Sequence, residues 1–257
     1  MTAGHPWTRF VAIGDSFTEG IGDPDPAAPG GQRGWADRVA EVLAAQREDF
    51  AYANLAVRGK LLDQIHEEQV PAALALAPDL VTISAGGNDI LRPGTDPDEV
   101  ARRFDRLVAE FAASGATVVV FTGPDIGMTP VMRAIRGKVA IYDMHIHRVA
   151  QRYGARVADL WAISGALRQE EMWAPDRLHF SPLGHHTIAR LVLAVLGVEH
   201  ELEPLVPAER PPKPWRQARA EDLAWAREHF IPWIGRRLTG RSSGDGRTAK
   251  RPELGAV

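Results

Sequence analysis

Short apolar runs alternate with amphipathic stretches along the first two hundred residues. The runs predict five buried strands: Arg9–Ile13, Phe50–Leu55, Asp79–Ala85, Thr117–Thr122 and Ala155–Leu160. Between them, apolar residues recur at helical spacing, as at Trp35, Val39, Val42 and Leu43. Further helices are predicted from about Lys60, over Thr95–Ala113, over Val131–Tyr153 and from Ser181 to about Gly197. This alternation predicts a mostly parallel sheet with helices on both faces.

The composition changes beyond Gly197. Residues 199–217 contain five prolines and predict an extended strap, and residues 219–238 predict one more helix. Residues 241–257 are polar and rich in Gly, Ser and Arg, which predicts a disordered tail. We therefore divide the chain into a core domain (1–198), a strap with a C-terminal helix (199–240) and a tail (241–257).

Composition excludes several classes of protein. The chain is 45% hydrophobic and 25% charged, which is typical of a globular protein with a sizeable core. It has no cysteine, so disulfides and thiolate metal sites are excluded. Neither a signal peptide nor an apolar run long enough to cross a bilayer is present, so we expect a cytoplasmic protein without stable membrane insertion.

Charge is distributed unevenly between the two ends of the chain. Residues 207–257 carry 11 Lys and Arg against 6 Asp and Glu, and the remainder is net acidic. A basic C-terminal region of this kind either docks on an acidic core or on an anionic partner, or is simply solvated. We expect Trp215, Trp225 and Trp233 to pack it onto the core or onto a second subunit. The core has no basic patch with interleaved aromatic residues, so nucleic acid is not an expected partner.

A candidate nucleophile and its base stand in two separate loops. Ser16 follows the first predicted strand, at the sheet edge where open α/β folds place ligands. A serine hydroxyl is a weak nucleophile unless a base accepts its proton. His179 follows Asp176 by three residues, just before a predicted helix, so the acid could hold the imidazole in the required tautomer. His185 and His186 are competitors, but they fall inside that helix.

Donors for a developing oxyanion are also available at the ends of strands. Gly59 lacks a Cβ and can expose its backbone N–H, Asn88 can present a side-chain amide, and Ser16 can add its own N–H. Each of these residues also has an ordinary structural explanation as a turn or cap. Together they predict acyl transfer, because parallel strands present their carboxyl ends along one edge.

The motifs resemble those of the SGNH (GDSL) hydrolase family. Gly14–Phe17 (GDSF) resembles the GDSL motif, Gly86–Asp89 (GGND) resembles GxND, and Asp176–His179 (DRLH) matches DxxH. With Gly59 between the first two, the resemblance covers about residues 8–197. It implies a three-layer α/β/α, flavodoxin-like fold with a five-stranded parallel sheet, to which this chain adds a C-terminal helical arm.

The resemblance also implies roles for the residues at the matching positions. Ser16 would be the nucleophile, His179 the base and Asp176 its orienting acid. The N–H groups of Ser16 and Gly59 and the amide of Asn88 would form the oxyanion hole. Phe17 replaces the usual leucine of the motif, a change that we expect to affect packing and not chemistry.

The expected activity is that of a serine esterase or acylhydrolase, which cleaves a small-molecule ester through an acyl-enzyme. Neither a metal nor an organic cofactor is predicted, since His145, His147 and His200 lack a credible third ligand. A carbohydrate O-acetylesterase, a thioesterase and an acyltransferase would use the same groups and remain open. A binding module that holds an anion at the Gly14–Gly20 turn is a weaker alternative, because it leaves Asn88 and His179 unused.

Overall fold

Five parallel strands form most of the central sheet. The structure is a computed structural model, and it describes residues 4–127, 130–206, 214–232, 235 and 242–257. The strands are β1 (Arg9–Gly14), β2 (Ala51–Asn54), β3 (Leu80–Ser84), β4 (Thr117–Phe121), β5 (Arg156–Ala158) and β6 (Arg251–Gly255). Their order in the sheet is β5-β4-β3-β1-β2-β6. The five predicted strands are confirmed in position and direction.

Helices cover both faces of this sheet. They are α1 (Ser16–Glu19), α2 (Gly34–Gln46), α3 (Leu62–Gln64), α4 (Val70–Ala75), α5 (Gly87–Ile90), α6 (Pro97–Ala113), α7 (Pro130–Tyr153), α8 (Ser164–Leu167), α9 (Pro182–Leu196) and α10 (Trp215–Trp225). A π-helical turn, Ile65–Gln69, joins α3 to α4, and a second, Ala226–Phe230, follows α10. No helix in the described residues is long and apolar enough to span a membrane.

Alternate residues of β1 point into two separate hydrophobic cores. Val11 and Ile13 pack in one core with Phe104 of α6, whereas Phe10 packs in the other with Trp35 of α2. Apolar side chains on both faces are what a central parallel strand requires. The predicted three-layer α/β/α architecture is confirmed.

A sixth, antiparallel strand corrects the prediction of a five-stranded sheet and of a disordered tail at 241–257. Within that tail, the structure describes 242–257, where β6 pairs with β2 so that Tyr52 lies opposite Gly255 and Asn54 opposite Arg251. Without β6, the backbone groups along one side of β2 would form an open edge. The strand was not predicted because its sequence, RPELG, contains proline and lacks the alternation of apolar and polar residues typical of strands.

One buried lysine fastens the tail to the core. Lys250 Nζ donates hydrogen bonds to Asp37 Oδ2 at 2.9 Å and to the carbonyl oxygens of Gln32 and Arg33 at 2.9 and 2.7 Å. Both side chains of the Lys250–Asp37 pair are only 3% exposed. Burial raises the pKa of Asp37 and lowers that of Lys250, while the charge of each partner opposes the shift of the other. The basic tail therefore docks, at this point, on an acid of the core.

The arm, which consists of the strap and helix of residues 199–240, is only partly described. Its helix begins at Trp215, four residues before the predicted start, and Trp215 itself is 66% exposed, so it does not pack on the core. Trp225, in contrast, is partly buried against the core. Trp233 and the side chain of Phe230 lie outside the described residues, and the proposed packing against a second subunit stays a prediction.

Lys250→Met is expected to lower the free energy of unfolding by about 3–5 kcal/mol, because it leaves Asp37 buried without its counter-charge. Urea denaturation at pH 7 measures this loss. Glu253→Gln, on the exposed side of the same tail, is the matched control and is expected to change the free energy by less than about 0.5 kcal/mol. A Lys250→Met loss no larger than that of the control would contradict this role.

Candidate active site

A cavity of about 1310 Å³ lies at the carboxyl ends of the parallel strands. All five residues predicted for the site line it: Ser16, Gly59, Asn88, Asp176 and His179. The strand register explains this convergence, since Gly14 of β1 lies opposite Ser84 of β3, and Ile83 opposite Val120 of β4. The loops after these strands therefore begin at the same level.

Ser16 is held by a tight turn at the end of β1. It is the first residue of α1, and the preceding Asp15 caps this short helix by accepting a hydrogen bond from Phe17 N at 3.1 Å. Gly14 has a φ of +151°, and a Cβ there would lie 2.6 Å from the carbonyl oxygen of Ser84. Glycine is thus required for β1 to approach β3 so closely just before the serine.

Phe17 packs the turn against aromatic side chains of the core. Its ring centroid lies 5.5 Å from that of Trp35, 5.3 Å from Phe121 and 5.8 Å from Phe180. Contacts of this kind are typical of aromatic packing in a core. Phe17 packs against the core as expected and also lines the cavity, so the expectation that it does not affect the chemistry stays a prediction.

Asp176 and His179 form a closely bonded pair within one turn. Asp176 Oδ2 lies 2.6 Å from His179 Nδ1, and Asp176 Oδ1 accepts hydrogen bonds from the backbone N–H groups of Leu178 and His179, each at 3.0 Å. The carboxylate thus fixes both the backbone of the turn and the orientation of the imidazole. With Nδ1 engaged, Nε2 is the nitrogen that is left to exchange a proton.

The surroundings of Asp176 keep it ionised. Burial by itself would raise the pKa of this carboxyl, but the hydrogen bond and charge of His179, together with the two backbone N–H donors, outweigh burial and lower the pKa to about 2. A negative charge beside Nδ1 would stabilise an imidazolium if His179 accepted a proton from a nucleophile.

Ser16 and His179 line the same cavity without a direct bond. Among the described residues, no hydrogen bond joins Ser16 Oγ to His179. Hydrogen bonds of this kind are often long in the free enzyme and tighten when substrate binds.

The expected oxyanion donors differ in how they are held. Asn88 Nδ2 donates to Asp15 Oδ2 at 2.9 Å and to the carbonyl oxygen of Lys60 at 3.1 Å, so it must exchange one of these acceptors to reach an oxyanion. Gly59 has a φ of +76°, a conformation that favours glycine. A Cβ at Gly59 would lie 2.1 Å from Ser242 Oγ, which shows that the C-terminal tail lies directly over this loop.

The other histidines that the sequence brings forward have structural partners. His185 is fully buried, receives a hydrogen bond from Trp35 N and lies 3.1 Å from the carbonyl oxygen of Ile21; burial lowers its pKa to about 4. His186 bonds the carbonyl oxygen of Glu203. In the described part of the chain, no three His, Asp or Glu side chains are arranged to hold a metal ion.

Asp143 is an acid of the cavity wall that sequence analysis missed. Its Oδ1 accepts a hydrogen bond from Gly123 N at 2.7 Å, and its Oδ2 is buried without a hydrogen-bond partner among the described residues. Burial raises the pKa of this carboxyl to about 7. Asp143 stands inside the long helix α7, where nothing in the local sequence distinguishes it from a solvated acid.

Residues from the C-terminal region also line the cavity and were not predicted to do so. They are Glu221, Asp222, Ala224, Trp225, Glu228 and His229 from the arm, and Ser242, Ser243 and Asp245 from the tail. The tail residues reach the cavity because β6 pairs with the edge strand β2, and the arm residues because the arm contacts the turn of Asp176 and Arg177; neither contact leaves a local signal in the sequence.

Comparison with known proteins identifies a family that is consistent with the geometry of the site. Residues 12–187 match the model of the GDSL-like Lipase/Acylhydrolase family. The chain is also 32% identical over 89 residues to the uncharacterized protein YpmR of Bacillus subtilis (strain 168), a match that covers 32% of each chain. The match thus spans about a third of the length of that curated relative.

Solved structures share the fold. An acetylxylan esterase from Geobacillus stearothermophilus, Axe2, crystallised as a catalytic mutant, has a TM-score of 0.64 at 22% identity, covering 77% of this chain and 98% of that chain. LAE5, an α/β hydrolase enzyme from the metagenome of Lake Arreo, Spain, has a TM-score of 0.63 at 24% identity, covering 76% and 97%. TesA has a TM-score of 0.61 at 22% identity, covering 74% and 98%.

Asp143→Asn is expected to remove a pH-dependent loss of stability. A folded-state pKa of about 7 lies above the usual value of about 3.9, so this carboxyl contributes its full stability below about pH 4 and loses it as the pH rises through 7. Linkage predicts that the wild type loses roughly 2–3 kcal/mol between pH 5 and pH 8 on this account, and that the variant does not.

Urea denaturation at pH 5 and pH 8 measures the difference. Asp63→Asn, which replaces an acid that is 56% exposed, is the control and should follow the wild type. An Asp143→Asn variant with the same pH dependence as the wild type would show that Asp143 is ionised throughout this range.

Proposed function

The chain belongs to the GDSL-like lipase/acylhydrolase family, and on this basis we propose that it is a serine esterase that hydrolyses carboxylic esters through Ser16, His179 and Asp176. The observation that supports this assignment most strongly is the Asp176–His179 pair, bonded at 2.6 Å on the wall of the cavity that Ser16 also lines. A catalytic serine needs a base whose second nitrogen is held by an acid, and this pair provides that arrangement.

In the proposed first step, Ser16 Oγ attacks the ester carbonyl while His179 Nε2 accepts the hydroxyl proton. Asp176 holds the Nδ1–H group and stabilises the imidazolium. The tetrahedral intermediate collapses, and the leaving alcohol takes the proton from His179. Water then attacks the acyl-enzyme with His179 again as base, which releases the carboxylic acid and restores Ser16.

Three donors are proposed to stabilise the oxyanion of the intermediate: Ser16 N–H, Gly59 N–H and the amide of Asn88. Fixed donors in a site that is shielded from water lower the barrier because they are already oriented when the charge develops. Asn88 would exchange the carbonyl oxygen of Lys60 for the oxyanion, since its bond to Asp15 fixes the rest of the amide.

The size and lining of the cavity favour an acyl group longer than acetyl. Its volume of about 1310 Å³ exceeds the roughly 300–1,000 Å³ of ordinary ligand pockets. Six aliphatic side chains line part of it: Ile90, Leu91, Ile126, Val139, Ile146 and Leu160. Each methylene that is transferred from water to such a wall contributes about 0.8 kcal/mol.

Ser16→Ala and His179→Ala are each expected to lower kcat for p-nitrophenyl ester hydrolysis by about 10³-fold or more, because the two residues act as one unit. The controls are Ser243→Ala, a second serine on the cavity wall, and His147→Ala, a half-exposed histidine. Both controls are expected to retain wild-type kcat. Full activity in Ser16→Ala would rule out Ser16 as the nucleophile.

Among p-nitrophenyl esters from C2 to C12, kcat/KM is expected to rise roughly tenfold or more from acetate to hexanoate, as successive methylenes meet the aliphatic wall. Ile126→Trp narrows this part of the cavity and should lower kcat/KM for hexanoate while sparing acetate. A wild type that prefers acetate at every comparison would instead favour an acetylesterase.

A further inference from the structure

The turn that carries the catalytic pair contains a strained residue. Arg177, between Asp176 and His179, has a φ of +55°, and among the described residues only one other non-glycine residue, Ala77, has a positive φ. Side chains with a Cβ disfavour this conformation, so it persists where surrounding contacts hold it.

The C-terminal arm supplies contacts to this turn. Trp225 Nε1 donates a hydrogen bond to the backbone carbonyl oxygen of Asp176 at 2.8 Å. Asp222 Oδ1 accepts a hydrogen bond from Arg177 Nη1 at 2.6 Å, and the Arg177 guanidinium lies 5.2 Å from the centre of the Trp225 ring. The arm therefore contacts two consecutive residues of the turn, through both backbone and side chain.

These contacts act on the same turn that orients Asp176 and His179. The peptide group that accepts the Trp225 hydrogen bond joins Asp176 to Arg177, and its rotation sets the φ of Arg177. The same turn brings the N–H groups of Leu178 and His179 onto Asp176 Oδ1. A rotation of this peptide would move His179 relative to both Asp176 and Ser16, and small displacements of a catalytic group are costly.

From these contacts we propose that the arm is a positioning element of the active site, in which Trp225 holds the Asp176–Arg177 peptide and thereby orients His179 towards Ser16. The arm lies outside residues 12–187, which match the family model, so it is an addition of this chain to the shared core. The inference rests on the proposed esterase function. Asp222 has a smaller role, because its ion pair with Arg177 is largely solvent-exposed.

Trp225→Phe tests the proposal most closely, because it removes the N–H donor together with one of the two fused rings and keeps a six-membered ring beside Arg177. With p-nitrophenyl acetate, kcat is expected to fall about fivefold, the equivalent of one ordinary hydrogen bond, while KM changes less than twofold. Leu223→Ala, 62% exposed on the same helix, is the matched control and keeps wild-type kcat. Asp222→Asn is expected to change kcat less than twofold.

A double-mutant cycle separates positioning from a general structural effect. In the Asp176→Asn background, Trp225→Phe is expected to have no further effect on kcat, because the pair that it orients is already lost. Independent, additive losses would overturn the proposal.

A second pair of variants tests the strained turn if Trp225→Phe does not fold. Arg177→Ala and Arg177→Gly both lose the side-chain contacts to Asp222 and Trp225 and keep the Trp225–Asp176 hydrogen bond, but only Arg177→Ala still bears the cost of positive φ. Arg177→Gly is therefore expected to retain a higher kcat than Arg177→Ala, and equal values would contradict a held, strained turn. If wild type is active but Trp225→Phe is unchanged, positioning fails and the esterase proposal stands; a wild type without hydrolase activity refutes the esterase proposal itself.

Discussion

Parallel pairing of β1, β3 and β4 is the constraint on which the site depends. Parallel strands end along one edge, so residues that are far apart in sequence meet once the sheet forms. Ser16 comes two residues after β1, and Asn88 comes four residues after β3. The buried apolar side chains on both faces of β1 fix its register. A shift of one residue would point Val11 and Ile13 towards the core on the other face of the sheet. The stability of the core and the placement of Ser16, the proposed nucleophile, thus have the same physical basis.

The C-terminal region completes the molecule at two points. The tail adds β6 to the open edge of β2 and is fastened by the buried Lys250–Asp37 pair. From there, Ser242 lies against Gly59, one of the proposed oxyanion donors. The arm contacts the turn of Asp176 and Arg177 through Trp225. Segments outside the family core therefore touch two of the loops that are proposed to carry the chemistry.

Sequence analysis predicted those features that local chemistry determines. The five parallel strands follow from apolar runs, and the grouping of Ser16, Gly59 and Asn88 follows from the rule that parallel strands end together. Asp176 and His179 were predicted from their spacing and from the DxxH motif. Sequence analysis failed where contacts join distant segments without a local pattern. β6 can be recognised only from its pairing with the edge strand β2. The raised pKa of Asp143 comes from burial, which the sequence around it in the helix does not indicate. Trp225 was expected to pack on the core or on a second subunit, but its hydrogen bond to the turn of Asp176 and His179 was not predicted.

The proposed activity depends on Ser16 being a nucleophile that His179 activates. Its most direct test is covalent labelling of the full chain with a fluorophosphonate, which forms a phosphorus–oxygen bond to an activated serine and releases fluoride. Peptide mapping by mass spectrometry should find one adduct, on Ser16, and the labelling rate should fall by about 10²-fold or more in His179→Ala. A folded wild type that carries no adduct on Ser16, or that labels as fast without His179 as with it, would contradict the account.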